Sequence, residues 1–194
     1  DTLVTVTVKE NSASVIYDGK EHSVEGYESM TADNRLYNVK TDVDATVTLA
    51  WKAKGTEVGK YDVGIKAEDF ANKNPNFTNV QFEIKDGVLE ITPPKEQIVV
   101  RITGKTDSFT YDGTEKTVTG YDIAITDPTG QYSAKDFTFT GTSEAKGTNA
   151  GSYPMGLKAE QFQNTNKNFD NSKVTFEVVQ DGKLTISQRP VTFT

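Results

Sequence analysis

Hydrophobic and polar residues alternate over many short stretches of the chain. Val4, Val6 and Val8 are separated by Thr5 and Thr7, and Ile98, Val100 and Ile102 by Val99 and Arg101. A period of two places each apolar set on one face of a half-buried strand. Tyr61, Val63, Ile65 and Ala67 repeat the pattern, as do Tyr153, Met155, Leu157 and Ala159. Val47, Leu49 and Trp51 form a further set that turns the tryptophan toward a core. Val15 and Tyr17 lead into Asp18-Gly19, and Phe109 and Tyr111 into Asp112-Gly113. Both read as tight turns in which Asp bonds its own backbone and Gly takes a positive φ. Strand-like runs also flank Asp86-Gly87 and Asp181-Gly182, at 80–85 with 88–91 and at 174–179 with 183–186. Strand, Asp-Gly, strand predicts a hairpin in each case. Only 67–72 and 159–164 read as a helical turn.

These elements occur twice in one order. Tyr17-Asp18-Gly19 and Gly26-Tyr27 return 94 positions later as Tyr111-Asp112-Gly113 and Gly120-Tyr121. The run from Lys66 to Phe70 returns from Lys158 to Phe162, and Asn74-Pro75-Asn76-Phe77 returns as Asn166-Lys167-Asn168-Phe169. Self-similarity at a fixed period marks a repeat architecture. The chain reads as copy one at 1–96 and copy two at 97–190, with 191–194 as the start of a third. Pro93-Pro94 forms a stiff junction. About seven short strands per copy predict an all-β fold, two tandem Ig-like β-sandwich domains. A β-grasp-like fold with one short helix per domain is the alternative.

Composition narrows the chemistry. The chain has 194 residues, no cysteine, one histidine, and 21 basic against 28 acidic residues. Disulfides, thiol nucleophiles and thiolate metal sites are excluded. Excess negative charge argues against nucleic acid, which needs clustered Lys and Arg. No apolar run approaches the length of a membrane helix. Val, Ile, Tyr and Phe with 27 threonines are strand-forming composition. His22 sits in a polar turn and corresponds to Lys116, so it reads as surface decoration. Asp42-Val43-Asp44 is half of a calcium-type loop with no counterpart in copy two. The Asn-rich loops lack the carboxylates of a tight cation site. Glu68 with Glu160, and Glu83 with Glu177, read as solvated strand positions rather than catalytic pairs. No catalytic residue, cofactor or metal is expected. The matched aromatics Tyr27 and Tyr121 are the nominated ligand contacts.

The order Tyr-Asp-Gly, Gly-x-Tyr, Asn-Phe, then Asp-Gly-x-Leu-x-Ile before a proline and a Val/Thr strand, resembles the bacterial MBG/YDG repeat domains. Asn76-Phe77 and Asn168-Phe169 stand where that family commonly has Asn-Tyr. The resemblance covers essentially the whole chain, twice. It implies tandem modules of large secreted or wall-anchored surface proteins described as adhesins, with no catalytic residues. The implied role is a monomeric stalk, contacting neighbouring repeats of its own chain, that projects an adhesive domain from a Gram-positive cell wall. The alternative is a module that itself binds host glycan, mucin or protein. Neither role involves nucleic acid or membrane contact by this segment.

Overall fold

The computed structural model describes residues 2–46 and 51–193. Val47 and Leu49 of the predicted alternation lie outside the described residues. The chain divides into two compact units, Asp1–Pro93 and Pro94–Thr194, and the all-β expectation is borne out in both.

In unit one the strands are β1 (Val4–Glu10), β2 (Ala13–Ile16), β3 (His22–Glu25), β4 (Tyr27–Ala32), β5 (Val43–Ala45), β6 (Lys52–Gly55), β7 (Gly59–Asp62), β8 (Phe70–Asn72), β9 (Val80–Lys85) and β10 (Val88–Thr92). A single α-helical turn, α1 (Val39–Asp42), follows β4. Unit two runs β11 (Ile98–Gly104), β12 (Thr106–Thr110), β13 (Lys116–Thr119), β14 (Tyr121–Thr126), β15 (Phe137–Phe139), β16 (Glu144–Gly147), β17 (Gly151–Pro154), β18 (Phe162–Asn164), β19 (Val174–Gln180) and β20 (Lys183–Ser187). The sheets of unit one are β4-β1-β9, β2-β10-β7, β3-β6 and β5-β8; unit two repeats them as β14-β11-β19, β12-β20-β17, β13-β16 and β15-β18. α1 buries no residue, so it is not a layer of the core. The helical turns expected after Ala67 and Ala159 are 3-10 turns of three residues, each followed at once by a strand.

The predicted hairpins at Asp86-Gly87 and Asp181-Gly182 are absent. β1 pairs with β9 in parallel, and β2 pairs with β10 in parallel. The separation is 76 positions throughout, from Val4 opposite Val80 to Ile16 opposite Thr92. Residues 80–92 are therefore one extended segment, bent at Asp86-Gly87 as it passes from one sheet to the next. In unit two the separation is 76 as far as Ile102 opposite Val178 and 77 from Thr103 opposite Gln180 onward. The extra residue is Val179, a bulge that leaves this valine 57% exposed. Gly87 and Gly182 do not take positive φ. Their lack of a side chain matters because two backbones cross there. A Cβ at Gly87 would strike the Asn11 carbonyl, and one at Gly104 the backbone of Gly182.

The alternating patterns are buried as read at their centres, while Ala67, expected to point inward, is exposed in a 3-10 turn. Val4, Val6, Val8, Ile98, Val100 and Ile102 are fully buried, and Val63, Ile65, Met155 and Leu157 line the cores behind them. The strands at Tyr61 and Tyr153 end sooner than the pattern suggested, because Gly64 and Gly156 turn at φ 86° and 82°. Trp51 is buried in the unit-one cluster with Val8, Ala53, Val63, Phe70, Leu89 and Ile91. Each unit thus has its own core, and residues 1–96 expressed alone are expected to unfold in one cooperative transition by differential scanning calorimetry. A broad, non-cooperative trace would show that unit one depends on its neighbour.

Candidate functional site

The Tyr-Asp-Gly segments are turns, with Gly19 at φ 76° and Gly113 at φ 77°. Asp18 accepts a bond from the Lys20 amide at 2.9 Å and faces His22 Nε2 at 2.8 Å. Asp112 does the same with the Thr114 amide and with Lys116 Nζ at 2.7 Å. His22 and Lys116 are therefore equivalent clasps on the turn aspartate, and His22 is more than decoration. These partners, His22 for Asp18 and Lys116 for Asp112, hold both carboxyls below the usual range.

Asp86 and Asp181 occupy unlike roles. In unit one the kink is satisfied by Glu10, 3% exposed, whose Oε1 accepts from the Ile65 amide at 3.1 Å and Oε2 from the Gly87 amide at 3.2 Å. Burial raises the Glu10 carboxyl above its ordinary value. Position 104 in unit two is glycine, and the carboxylate comes from the opposite strand. Asp181 accepts from the Gly156 amide and the Leu157 amide, both at 2.9 Å.

The Asn loops satisfy their own backbone and carry a polar knot that sequence reading missed. The Tyr37 hydroxyl lies 2.8 Å from Asn72 Oδ1 and 2.9 Å from the Asp42 carbonyl. Asn72 Nδ2 donates to the carbonyls of Asn74 and Phe77, and Asn74 Nδ2 to Asp42 Oδ2. Unit two rebuilds it with Tyr132, Asn164, Asn166 and Asp136. Burial raises both tyrosine hydroxyls above their ordinary range. The signal available in sequence was a tyrosine at 37 and 132 upstream of a matched aspartate. Asp42 is thus engaged in the knot, while Asp44 is exposed and faces Lys73 at 3.8 Å. Among the described residues no group of three or more His, Asp or Glu side chains gathers as a cation site, and no helix is long and apolar enough to cross a membrane.

Tyr27 and Tyr121 sit at equivalent positions with different surroundings. Tyr121 is wedged edge-on between Phe139 and Phe162, with ring centroids at 5.5 and 5.3 Å. Tyr27 is 40% exposed and meets Trp51 edge-on at 6.2 Å. Ala45 replaces Phe139, and Trp51, in the place of Ser143, supplies the ring that packs on Phe70 at 5.2 Å. Beside Tyr27 the exchange accompanies an open groove of about 440 Å³, lined by Tyr27, Glu28, Ser29, Met30, Val39, Lys40, Val43 and Ala45.

Residues 99–188 match the family model described as the MBG domain. The second unit is an MBG-type domain, a non-catalytic repeat type often found in surface proteins. No curated protein and no solved structure matches the chain. The first unit shares its strand pairings and motif order.

Two outcomes follow from these carboxylates. Glu10→Gln replaces one of the two acceptor oxygens with an NH2 group, so either the Ile65 or the Gly87 amide loses its acceptor, a buried donor left unpaired at a cost of roughly 1–3 kcal/mol. Trp51 is the only tryptophan, so its fluorescence during guanidinium unfolding reports unit one. Its transition should move to lower denaturant in Glu10→Gln and stay put in Asp181→Asn. An unmoved transition in Glu10→Gln would remove the role assigned to that carboxylate. Acid should act through the lowered groups: Asp18 held by His22, Asp42 by the Asn38 amide, Asp69 by the Lys66 amide, Asp112 by Lys116, Asp127, whose burial is outweighed by bonds from Thr129 and Tyr132, and Asp170 by Ser172. A folded pKa below the unfolded one stabilises above the ordinary carboxylate range and is lost as pH falls through the lowered values. Glu10, raised by burial, has the opposite sign: its cost is relieved as pH falls. With six groups against one, calorimetric melting temperatures should fall steadily below about pH 4; a flat profile down to pH 2 would contradict the assignment.

Proposed function

We propose that the chain is a tension-bearing spacer, a tandem segment of a bacterial surface protein that holds an adhesive domain away from the cell wall. The observation that carries this reading is the parallel pairing of the first segment of each unit with its last: β1 with β9 and β2 with β10 in unit one, β11 with β19 and β12 with β20 in unit two. When a chain is pulled at its two ends, force enters a unit through its first segment and leaves through its last. Because these two segments run side by side in the same direction along β1–β9 and β2–β10, their hydrogen bonds lie across the load and are strained together, in shear. A β-hairpin pulled at its ends opens one bond at a time and yields at lower force. The Pro93-Pro94 junction adds fixed φ between the loaded segments. The match of unit two to the MBG domain model is in keeping with a mechanical role.

Single-molecule pulling tests the reading. Stretched from its ends, the two-unit chain should give two high-force unfolding events. The chain has no cysteine, so Leu3→Cys with Asn79→Cys provides unique handles at neighbouring starts of β1 and β9. Pulled through these handles, unit one should open by peeling at several-fold lower force. Equal forces in the two directions would defeat the shear argument and with it the spacer reading.

A further inference from the structure

The groove beside Tyr27 is a feature of unit one that the spacer role does not use. Its wall is formed by four consecutive residues of β4, Tyr27 to Met30. Consecutive residues alternate faces along a strand, so the groove follows the edge of β4 rather than one face. β4 pairs only with β1 in its sheet, which leaves that edge's backbone groups facing the groove. The floor is apolar, from Met30, Val39, Val43 and Ala45, and Tyr27 offers a partly exposed ring at one end.

The rim carries one uncommitted charge. Glu28 is neutralised by Lys9 at 2.6 Å, whereas Lys40 lies exposed at the groove with no ion-pair partner among the described residues. An added peptide strand is disfavoured by the local geometry. The β1–β4 register shifts between Lys9 and Glu10, where Glu10 faces Tyr27 and Lys9 faces Ser29. Such a bulge twists an edge away from regular strand addition. An aromatic ring, an apolar floor, backbone donors and acceptors along one wall and a free ammonium suit a compact ring that is apolar on one face and ringed with hydroxyls.

We propose that this groove binds a carboxylate-bearing pyranose, a uronic-acid type of sugar, with the ring over Tyr27 and the carboxylate on Lys40 in a charge-assisted bond. Unit two lacks the site because Phe137 and Phe139 stand where unit one has Val43 and Ala45, and Phe139 packs on Tyr121. The site thus belongs to unit one and is not rebuilt at the equivalent described positions of unit two. This inference is independent of the spacer reading, because a sugar site and a shear-loaded strand pair can each exist without the other.

The test is a titration of the intact two-unit chain with sodium glucuronate, with glucose at matched ionic strength as the neutral comparison. Trp51 fluorescence and amide chemical shifts are read together. Saturable millimolar binding is expected, with shifts at Tyr27, Lys40 and Ala45 and none at Tyr121 or Phe139. Affinity should fall at least fivefold for glucose, and equally for glucuronate with Lys40→Ala, an exposed change that leaves the fold intact. Three results would each overturn the proposal: no saturable shift, glucose binding as tight as glucuronate, or shifts shared by unit two.

Discussion

Parallel pairing of the first and last segments is the constraint on which the rest of each unit depends. Parallel partners cannot be joined by a tight turn and need a long crossover, so every other strand lies between them in sequence. β4 and β7 flank this pair on opposite sheets in unit one, and β14 and β17 do so in unit two. Because the pair passes from one sheet to another, two backbones must come close at the bend. Gly87 meets that demand in unit one, and Gly104 with Gly182 meets it in unit two. The bend also diverts amides from the ladder, and a buried N–H without an acceptor is costly. A carboxylate supplies what the ladder cannot.

The two units meet the same demands from opposite sides. Glu10, at the end of β1, accepts from the Ile65 amide, whereas the equivalent Leu157 amide donates to Asp181, at the bend of the last segment. The aromatic ring over Phe70 comes from Trp51, and the ring over Phe162 comes from Phe139. In each case the space or the hydrogen bond is preserved and the residue that provides it has moved to a facing strand. Close packing enforces this, since a ring removed on one side leaves a void unless another fills it. One exchange is incomplete: with Trp51 filling and Ala45 small, the groove beside Tyr27 stays open.

Much of this was legible in the sequence. The alternation at Val4, Val6 and Val8 named fully buried positions because period two is a local property of the strand. The repeat located both units, and Asp18-Gly19 identified a turn. Asp86-Gly87 was misread because a reversing chain and a bending one use the same dipeptide there. What distinguishes them is a partner 76 positions away, which no local pattern carries. Tyr27 and Tyr121 looked alike for the same reason. Their difference lies in residues 45 and 139, distant in sequence and adjacent in space. The Tyr37–Asn72–Asp42 knot was invisible because its members are spread over 35 positions.

The ring exchange has a consequence for inheritance. Tandem repeats invite unequal crossing-over, which joins the front half of one copy to the back half of another. A hybrid with Phe139 in front and Trp51 behind would bring two rings to one place in the core. The reciprocal hybrid, with Ala45 in front and Ser143 behind, would bring none and leave a void. Either product is handicapped, while exchanges that keep a whole unit intact are not. Compensating drift within copies therefore works as a proofreading device: it lets an array lengthen or shorten by complete domains while penalising recombinants that splice within them.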